Sequence, residues 1–242
     1  MAEARLDVAL VQRNLAPSRE RAQEAIGAGM VLVNGKPAGK ASMKVADTDA
    51  LEVTGDPIGY VGRGGLKLEG ALDHFGIDPA GLVCLDVGAS TGGFTDCLLR
   101  RGARLVYAVD VGRDQLHADL RREARVVNME GTDIRTVLQL PEAPQLASID
   151  VSFISLTLVL PAVARLVPPD GRIVALIKPQ FEVGPGGVGK KGIVRDPRQH
   201  RAAVARVLEA AGLLGLIAAD VIDSPVLGTE GNKEFLTVFR FR

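Results

Sequence analysis

From residue 66 onward, short apolar runs alternate with amphipathic stretches long enough for a helix, and that alternation over some 175 residues confines the chain to a layered α/β architecture. Runs at 82–85, 105–109, 125–127, 148–151 and 173–177 read as buried strands with helices between them, which predicts a doubly wound, mostly parallel sheet. The last two runs, 214–222 and 234–241, are joined by a loop without room for a crossover helix. They are therefore expected to be antiparallel, closing a seven-stranded sheet.

Composition narrows the class without choosing a partner. The chain has 242 residues, 47% hydrophobic and 24% charged, with 29 Lys+Arg against 29 Asp+Glu. This is the average for a globular protein and a poor match to disorder, collagen or coiled coil. Two cysteines, Cys84 and Cys97, can neither build a disulfide scaffold nor supply a four-thiolate metal site, so no metal is expected and a reducing cytoplasm is the simplest setting. The N-terminus lacks a signal pattern, and the most apolar stretch, 151–167, is interrupted by Pro161 and Arg165. No membrane association is expected.

The first 58 residues read as a small α+β domain. Leu6, Val8, Ala9, Leu10 and Val11 form a short helical stripe, and Ser18 is placed to cap a second helix that ends at Gly27-Ala28-Gly29. Val31-Leu32-Val33 followed by Asn34-Gly35 is a hairpin signal, and 50–53 reads as a further strand. Between positions 13 and 44, Arg13, Arg19, Arg21, Lys36, Lys40 and Lys44 face only Glu20 and Glu24. A neutral chain thus carries a basic window of the kind a phosphate backbone requires. Residues 59–65, rich in glycine, read as a linker to the larger domain at 66–242.

Val83-Cys84-Leu85-Asp86-Val87-Gly88-Ala89-Ser90-Thr91-Gly92-Gly93-Phe94 is a buried strand, an acid and a glycine-rich turn entering a helix. A dinucleotide fingerprint would need glycine where Ser90 stands. Asp86 would repel a pyrophosphate but suits the ammonium end of S-adenosylmethionine. About 22 residues past Gly88, Asp110 ends the second strand beside Val111, where a ribose diol is commonly held. Asp133, after the third strand, is within reach of an adenine amino group. Acids also cap helices at such turns, but three at successive strand ends favour a ligand. The fourth and fifth strands end at Asp150 and Lys178, the latter unusual for closing a buried strand.

Those residues resemble a known family. Residues 66–242 are similar to the RrmJ/FtsJ-like ribose methyltransferases, which place a Lys-Asp-Lys-Glu tetrad over the acceptor; Lys67, Asp150, Lys178 and Glu234 stand in that order. Residues 4–53 resemble the RNA-binding S-four domain through Arg5-Leu6-Asp7, Ser18-Arg19, Ala22, Ile26, Gly29 and the run 31–35. With the phrase at 60–68 that contains Arg63, the whole is similar to the TlyA family, often labelled haemolysins. The resemblance implies a Rossmann-like class I S-adenosylmethionine-dependent methyltransferase domain behind a small RNA-binding domain. It also implies 2′-O-methylation of a cytidine ribose in ribosomal RNA within a ribosomal subunit, with Lys178 as base and Lys67, Asp150 and Glu234 orienting it. Cofactor contacts are expected from Asp86, Gly88, Ala89, Ser90, Gly92, Gly93, Phe94, Asp110, Val111 and Asp133, and RNA contacts from Arg5, Arg13, Ser18, Arg19, Lys36 and Arg63.

A lysine acts as base only when neutral; nearby carboxylates favour its charged form, while Lys67 and desolvation oppose it. Two further basic groups flank the site: Arg100, Arg101, Arg104, Arg113, Arg121, Arg122 and Arg125, and then Lys190, Lys191, Arg195, Arg198, His200 and Arg201 after a glycine-rich run at 183–189 that reads as a loop. Phe153 and Phe181, beside Asp150 and Lys178, are candidates for base stacking or for core. The sequence ends eight residues after Glu234, without the extension the resemblance associates with action on both ribosomal subunits, so the large-subunit cytidine is the expectation. A pore-forming haemolysin and a non-catalytic RNA-binding assembly protein remain the alternatives.

Overall fold

The computed structural model describes residues 3–16, 18–55, 58–189, 192–228 and 231–242, arranged in two compact units, Met1–Gly59 and Tyr60–Arg242. The first unit comprises β1 (Glu3–Arg5), α1 (Leu6–Gln12), α2 (Arg19–Gly27), β2 (Val31–Val33), β3 (Lys36–Pro37), β4 (Lys44–Ala46) and β5 (Leu51–Val53). Ser18 caps α2 by accepting from the Arg21 amide. Asn34 and Gly35 both take positive φ, 51° and 75°, the two left-handed residues that a tight hairpin with right-handed strand twist requires. Leu6, Leu10, Ala22, Ile26, Val31 and Val45 form the core of this unit.

Asp7 sits in that core with no exposed surface. Its carboxylate accepts from Arg5 Nε at 2.9 Å, Arg19 Nη2 at 3.0 Å and Gln23 Nε2 at 2.7 Å, tying the start of α1 to α2. Arg13 donates to the carbonyls of Ala46 and Asp49, holding the turn between β4 and β5.

In the second unit the order is α3 (Gly64–Phe75), β6 (Val83–Val87), α4 (Gly93–Arg100), β7 (Leu105–Asp110), α5 (Ala118–Arg122), β8 (Val126–Glu130), β9 (Leu146–Ile149), α6 (Leu156–Leu166), β10 (Arg172–Ile177), α7 (Pro179–Glu182), α8 (Pro197–Leu213), β11 (Leu216–Asp223) and β12 (Phe235–Phe241). The sheet runs β11-β12-β10-β9-β6-β7-β8, with β12 antiparallel to both neighbours and the strands from β10 to β8 parallel. This is the expected seven-stranded arrangement. The chain leaves β6 toward β7 and β8, then returns to β9 on the other side. That reversal opens a crevice beyond the carboxyl ends of β6 and β9, where such sheets bind ligands.

Part of the segment read as a linker belongs to the second unit. The division falls after Gly59, and Gly64 and Gly65 form the first turn of α3, where a side chain on Gly65 would collide with the Tyr60 ring. Among the described residues, no helix is long and apolar enough to cross a membrane.

The guanidinium beside Asp7 holds its carboxyl far below the ordinary 3.8, so the stabilisation it brings is present above that value and lost as pH falls below it. Asp7→Asn should lower the stability of the first unit by about 2 kcal/mol at pH 7, by loss of charge-assisted hydrogen bonds. The difference should shrink toward pH 3. Denaturant unfolding of wild type and variant across that range measures it.

Candidate active site

A cavity of about 580 Å³, ample for a cofactor, opens at the crevice between β6 and β9. Gly88, Ser90, Asp110, Val111, Asp133 and Ile134 line one side, and Asp150, Val151, Ser152 and Phe153 the other. Gly88 holds φ +85°, and a β-carbon there would collide with the Asp150 carbonyl, so the glycine lets the two halves touch through backbone. Asp110 accepts from the Ser90 amide at 2.8 Å and the Gly112 amide at 2.7 Å, which fixes the two loops that flank it while leaving carboxylate lone pairs toward the cavity. Asp133 is clasped by the Arg135 guanidinium at 2.6 Å, which keeps its carboxyl below the usual range.

Asp86 departs from expectation. It has no exposed surface, does not line the cavity, and accepts from Thr95 Oγ1 at 2.7 Å and Ser148 Oγ at 3.2 Å. Burial pushes its carboxyl up to about 7, and the neighbouring Asp150 charge adds to the shift. The acid therefore ties α4 and β9 to β6 beneath the loop instead of facing a ligand. Ala89, Gly92, Gly93 and Phe94 likewise stand outside the cavity lining; Ala89 and Phe94 are buried.

The four tetrad candidates form two ion pairs at the same end of the sheet. Lys178, directly after β10, places Nζ 2.6 Å from Asp150 Oδ1 and donates to Ser152 Oγ at 2.8 Å. Lys67 on α3 places Nζ 2.7 Å from Glu234 Oε2. Ile177 is paired with Phe235 in the antiparallel ladder, so one further step along both strands sets Lys178 level with Glu234. Both lysines are more than nine-tenths buried, and Glu234 is 2% exposed. Asp150 alone belongs to both the cavity wall and the tetrad. Gly228 is required here as well, because a β-carbon would run into the Glu234 carboxylate.

Phe153 is neither core nor covered. It is 91% exposed, holds φ +63° and lies 5.2 Å from the Phe181 ring, beside Lys178 and Asp150. Ser152, Thr95 and Ser148 complete these contacts. None of the three is marked in the sequence, because Ser152 reaches Lys178 and Ser148 reaches Asp86 only across neighbouring strands, and Thr95 meets Asp86 around the glycine loop.

The basic groups are far more engaged than their spacing implied. Arg5 and Arg19 pair with Asp7, and Arg13 is bound to backbone. Lys36 is exposed on β3, and Arg63 precedes α3. In the second unit Arg100 pairs with Asp96, Arg101 with Asp73, Arg104 with Glu142, Arg121 with Asp114, Arg122 with Asp119, Arg125 with Glu123 and Arg198 with Asp196. Lys190 and Lys191 lie outside the described residues. The run at 183–189 contains a short 3-10 turn, Pro185–Gly187, where an irregular loop was expected. Among the described residues no group of His, Cys, Asp and Glu could hold a metal ion.

Residues 60–241 match the family model described as FtsJ-like methyltransferase, and residues 4–51 that of the S4 domain. The chain is 48% identical over 242 residues to the 16S/23S rRNA (cytidine-2'-O)-methyltransferase TlyA of Mycobacterium tuberculosis, covering 98% of this chain and 90% of the relative. It is 36% identical to the 23S rRNA (cytidine-2'-O)-methyltransferase TlyA of Campylobacter jejuni, covering 93% and 95%. A solved structure from Streptococcus thermophilus, described as a candidate hemolysin, superposes with a TM-score of 0.77 at 42% identity, covering 99% of this chain and 88% of that one.

A buried carboxyl with a raised pKa contributes stability that is full below 3.8 and is lost as pH rises to about 7. Asp86→Asn retains an acceptor and gains a donor for the two hydroxyls. Relative to wild type it should gain about 2 kcal/mol in the unfolding of the second unit between pH 5 and pH 8. Paired denaturant titrations at the two pH values would show it.

Proposed function

The chain belongs to the FtsJ-like methyltransferase family, and from that premise we propose that it transfers the methyl group of S-adenosylmethionine to the 2′-hydroxyl of a cytidine ribose in ribosomal RNA. The observation that carries this reading is the Lys178–Asp150 pair, because Asp150 walls the cofactor-sized cavity while its partner ends the adjacent strand.

The cavity residues fit the cofactor. Asp110 offers carboxylate oxygens to a ribose diol, and Val111 and Ile134 offer apolar walls to a purine. When bound, the cofactor supplies an electrophilic methyl group whose bond to sulfur breaks as the bond to O2′ forms. The protein's task is in-line placement and removal of one proton. Lys178 Nζ is the proposed acceptor of the 2′-hydroxyl proton, a role it can take only as the free amine and not as the ammonium ion paired with Asp150. Asp150 and Ser152 fix the direction of that nitrogen, and the pair of Lys67 from α3 and Glu234 ahead of β12 orients the ribose. Phe153 presents an uncovered ring at the mouth of the site, suited to stack the target base.

An S4 domain ahead of the catalytic unit supports an RNA substrate. Both TlyA relatives are named for 23S rRNA and one of them also for 16S, which supports the large-subunit RNA as the substrate common to the family. From the first unit, Arg5, Ser18, Arg19 and Lys36 are proposed to meet the phosphate backbone, and Arg63 from the second; the hydrogen bonds of the Arg13 guanidinium to backbone carbonyls support a structural role for that residue.

Mass-spectrometric mapping of ribose methylation in ribosomal RNA, from cells with and without the protein, should show one or more cytidines lose the modification. Assays on the two purified subunits then assign the substrate. Lys178→Ala should bind cofactor in calorimetry yet lose at least about 10²-fold in tritiated-methyl transfer. Turnover near wild type would remove Lys178 from the role of base. Lys36→Ala should lower the slope of log affinity against log salt by about 1, whereas Arg13→Ala should lower the stability of the first unit instead.

A further inference from the structure

The loop that carries Asp150, Ser152 and Phe153 is gripped at both ends by the segment that carries Lys178. At its start, Lys178 Nζ meets Asp150 and Ser152. At its end, Glu182, the last residue of α7, accepts from Ser155 Oγ at 2.6 Å and from the Leu156 amide at 2.8 Å. Glu182 is 2% exposed, and neither of its carboxylate contacts is an ion pair. Its charge faces instead the first turn of α6, where the helix dipole and the unpaired amides favour an anion. Ser155 is the residue before that helix, and its Oγ also accepts from the Thr157 amide, so the Glu182 contact orients the cap itself. Arg206 of α8 donates to the Glu182 carbonyl at 2.8 Å and holds α7 from the other side.

What lies between the two grips is conformationally expensive. Phe153 holds a left-handed backbone at φ +63°, which an aromatic residue adopts only when its flanks determine it. The grip on Asp150 and Ser152 alone leaves the far end, Ile154 and Ser155, free to relax that turn. Fixing both ends with one short segment, 178–182, sets the ring of Phe153 and the direction of the Asp150 carboxylate relative to Lys178 Nζ together.

We infer that Glu182 is a positioning residue for methyl transfer, acting through Ser155 and the first turn of α6 to hold the 150–155 loop in its reactive shape. It touches neither the cavity nor the tetrad. The inference rests on the reading of Lys178 and Asp150 as the acceptor site.

Three variants test it, each followed by three measurements: steady-state methyl transfer, cofactor affinity, and hydrogen exchange over peptides spanning 150–157. Glu182→Ala should lower kcat by about 10²-fold, the order expected when reacting groups are displaced by about 1 Å, with cofactor affinity within about twofold of wild type. Exchange should rise in 150–157 and stay unchanged in β6 and β7. Glu182→Gln, which keeps an acceptor for the Leu156 amide, should restore much of the rate. Ser155→Ala removes only the hydroxyl and should reproduce the local exchange and a smaller loss of rate, which keeps the test decisive if Glu182→Ala does not fold. The inference is overturned if Glu182→Ala or Ser155→Ala leaves kcat and loop exchange unchanged, or if loss of rate comes only with loss of cofactor binding and protection throughout the sheet. Wild type without methyl transfer would overturn the assigned reaction instead. The exchange pattern in the variants would then still report whether Glu182 fixes the loop.

Discussion

Lys178, largely buried, and Asp150, half-buried at the cavity wall, meet 2.6 Å apart. Withdrawing each of these ions from solvent costs several kcal/mol, and their attraction offsets that only when the geometry is good and the remaining donors are satisfied. Neighbouring parallel strands bring the two groups within reach: Ile149 is level with Ala175, so Lys178 stands two residues beyond the level of Asp150, and the two meet as a close charge contact while the ammonium's hydrogen bond goes to Ser152. The antiparallel β12 repeats the arrangement by bringing Glu234 level with Lys178 and delivering it to Lys67. Three buried charges and the half-buried Asp150 thus sum to zero. Each pair depends on its partner, since removing one member of a buried pair leaves the other uncompensated at a cost of about 3–5 kcal/mol.

The acids on the cavity side are arranged differently. Asp110 binds two loop amides, Asp133 binds Arg135, and Asp86 binds two hydroxyls under the loop. The first two keep carboxylate surface toward the cavity, while Asp86 holds the floor in place. Acids at three successive strand ends therefore divide into two that can meet a ligand and one that supports the others.

The inner parallel strands were readable in the sequence because they are buried and appear as unbroken apolar runs; Asp150 and Lys178 were readable because they end two of those runs, whereas Lys67 on α3 and Glu234 ahead of β12 were legible only through the order of the family's tetrad. The three-residue strands β1 and β4 carry no alternation and escaped notice. Residues 59–65 read as a linker because glycine signals freedom, yet at Gly64 and Gly65 it permits the close approach of α3 to its neighbours. Asp86 was misplaced because an acid at a strand end looks the same whether it faces a cavity or a covered floor. The arginines divide by distance along the chain. Arg100 with Asp96, four residues apart on α4, is a pair that spacing alone suggests, while Arg198 meets Asp196 at the cap of α8. Arg101 with Asp73 and Arg104 with Glu142 are made by the fold, and no local reading finds them.

Gly88 and the Asp150 carbonyl press together without a side chain between them. One van der Waals contact therefore sets the separation between the loop that would seat a methyl donor and the strand end that would receive its acceptor. Any other amino acid at position 88 would widen that gap by the thickness of a methyl group, on the scale of the transfer distance itself. The two halves of the site meet backbone to backbone at that point, so reshaping one there for a new ligand displaces the other.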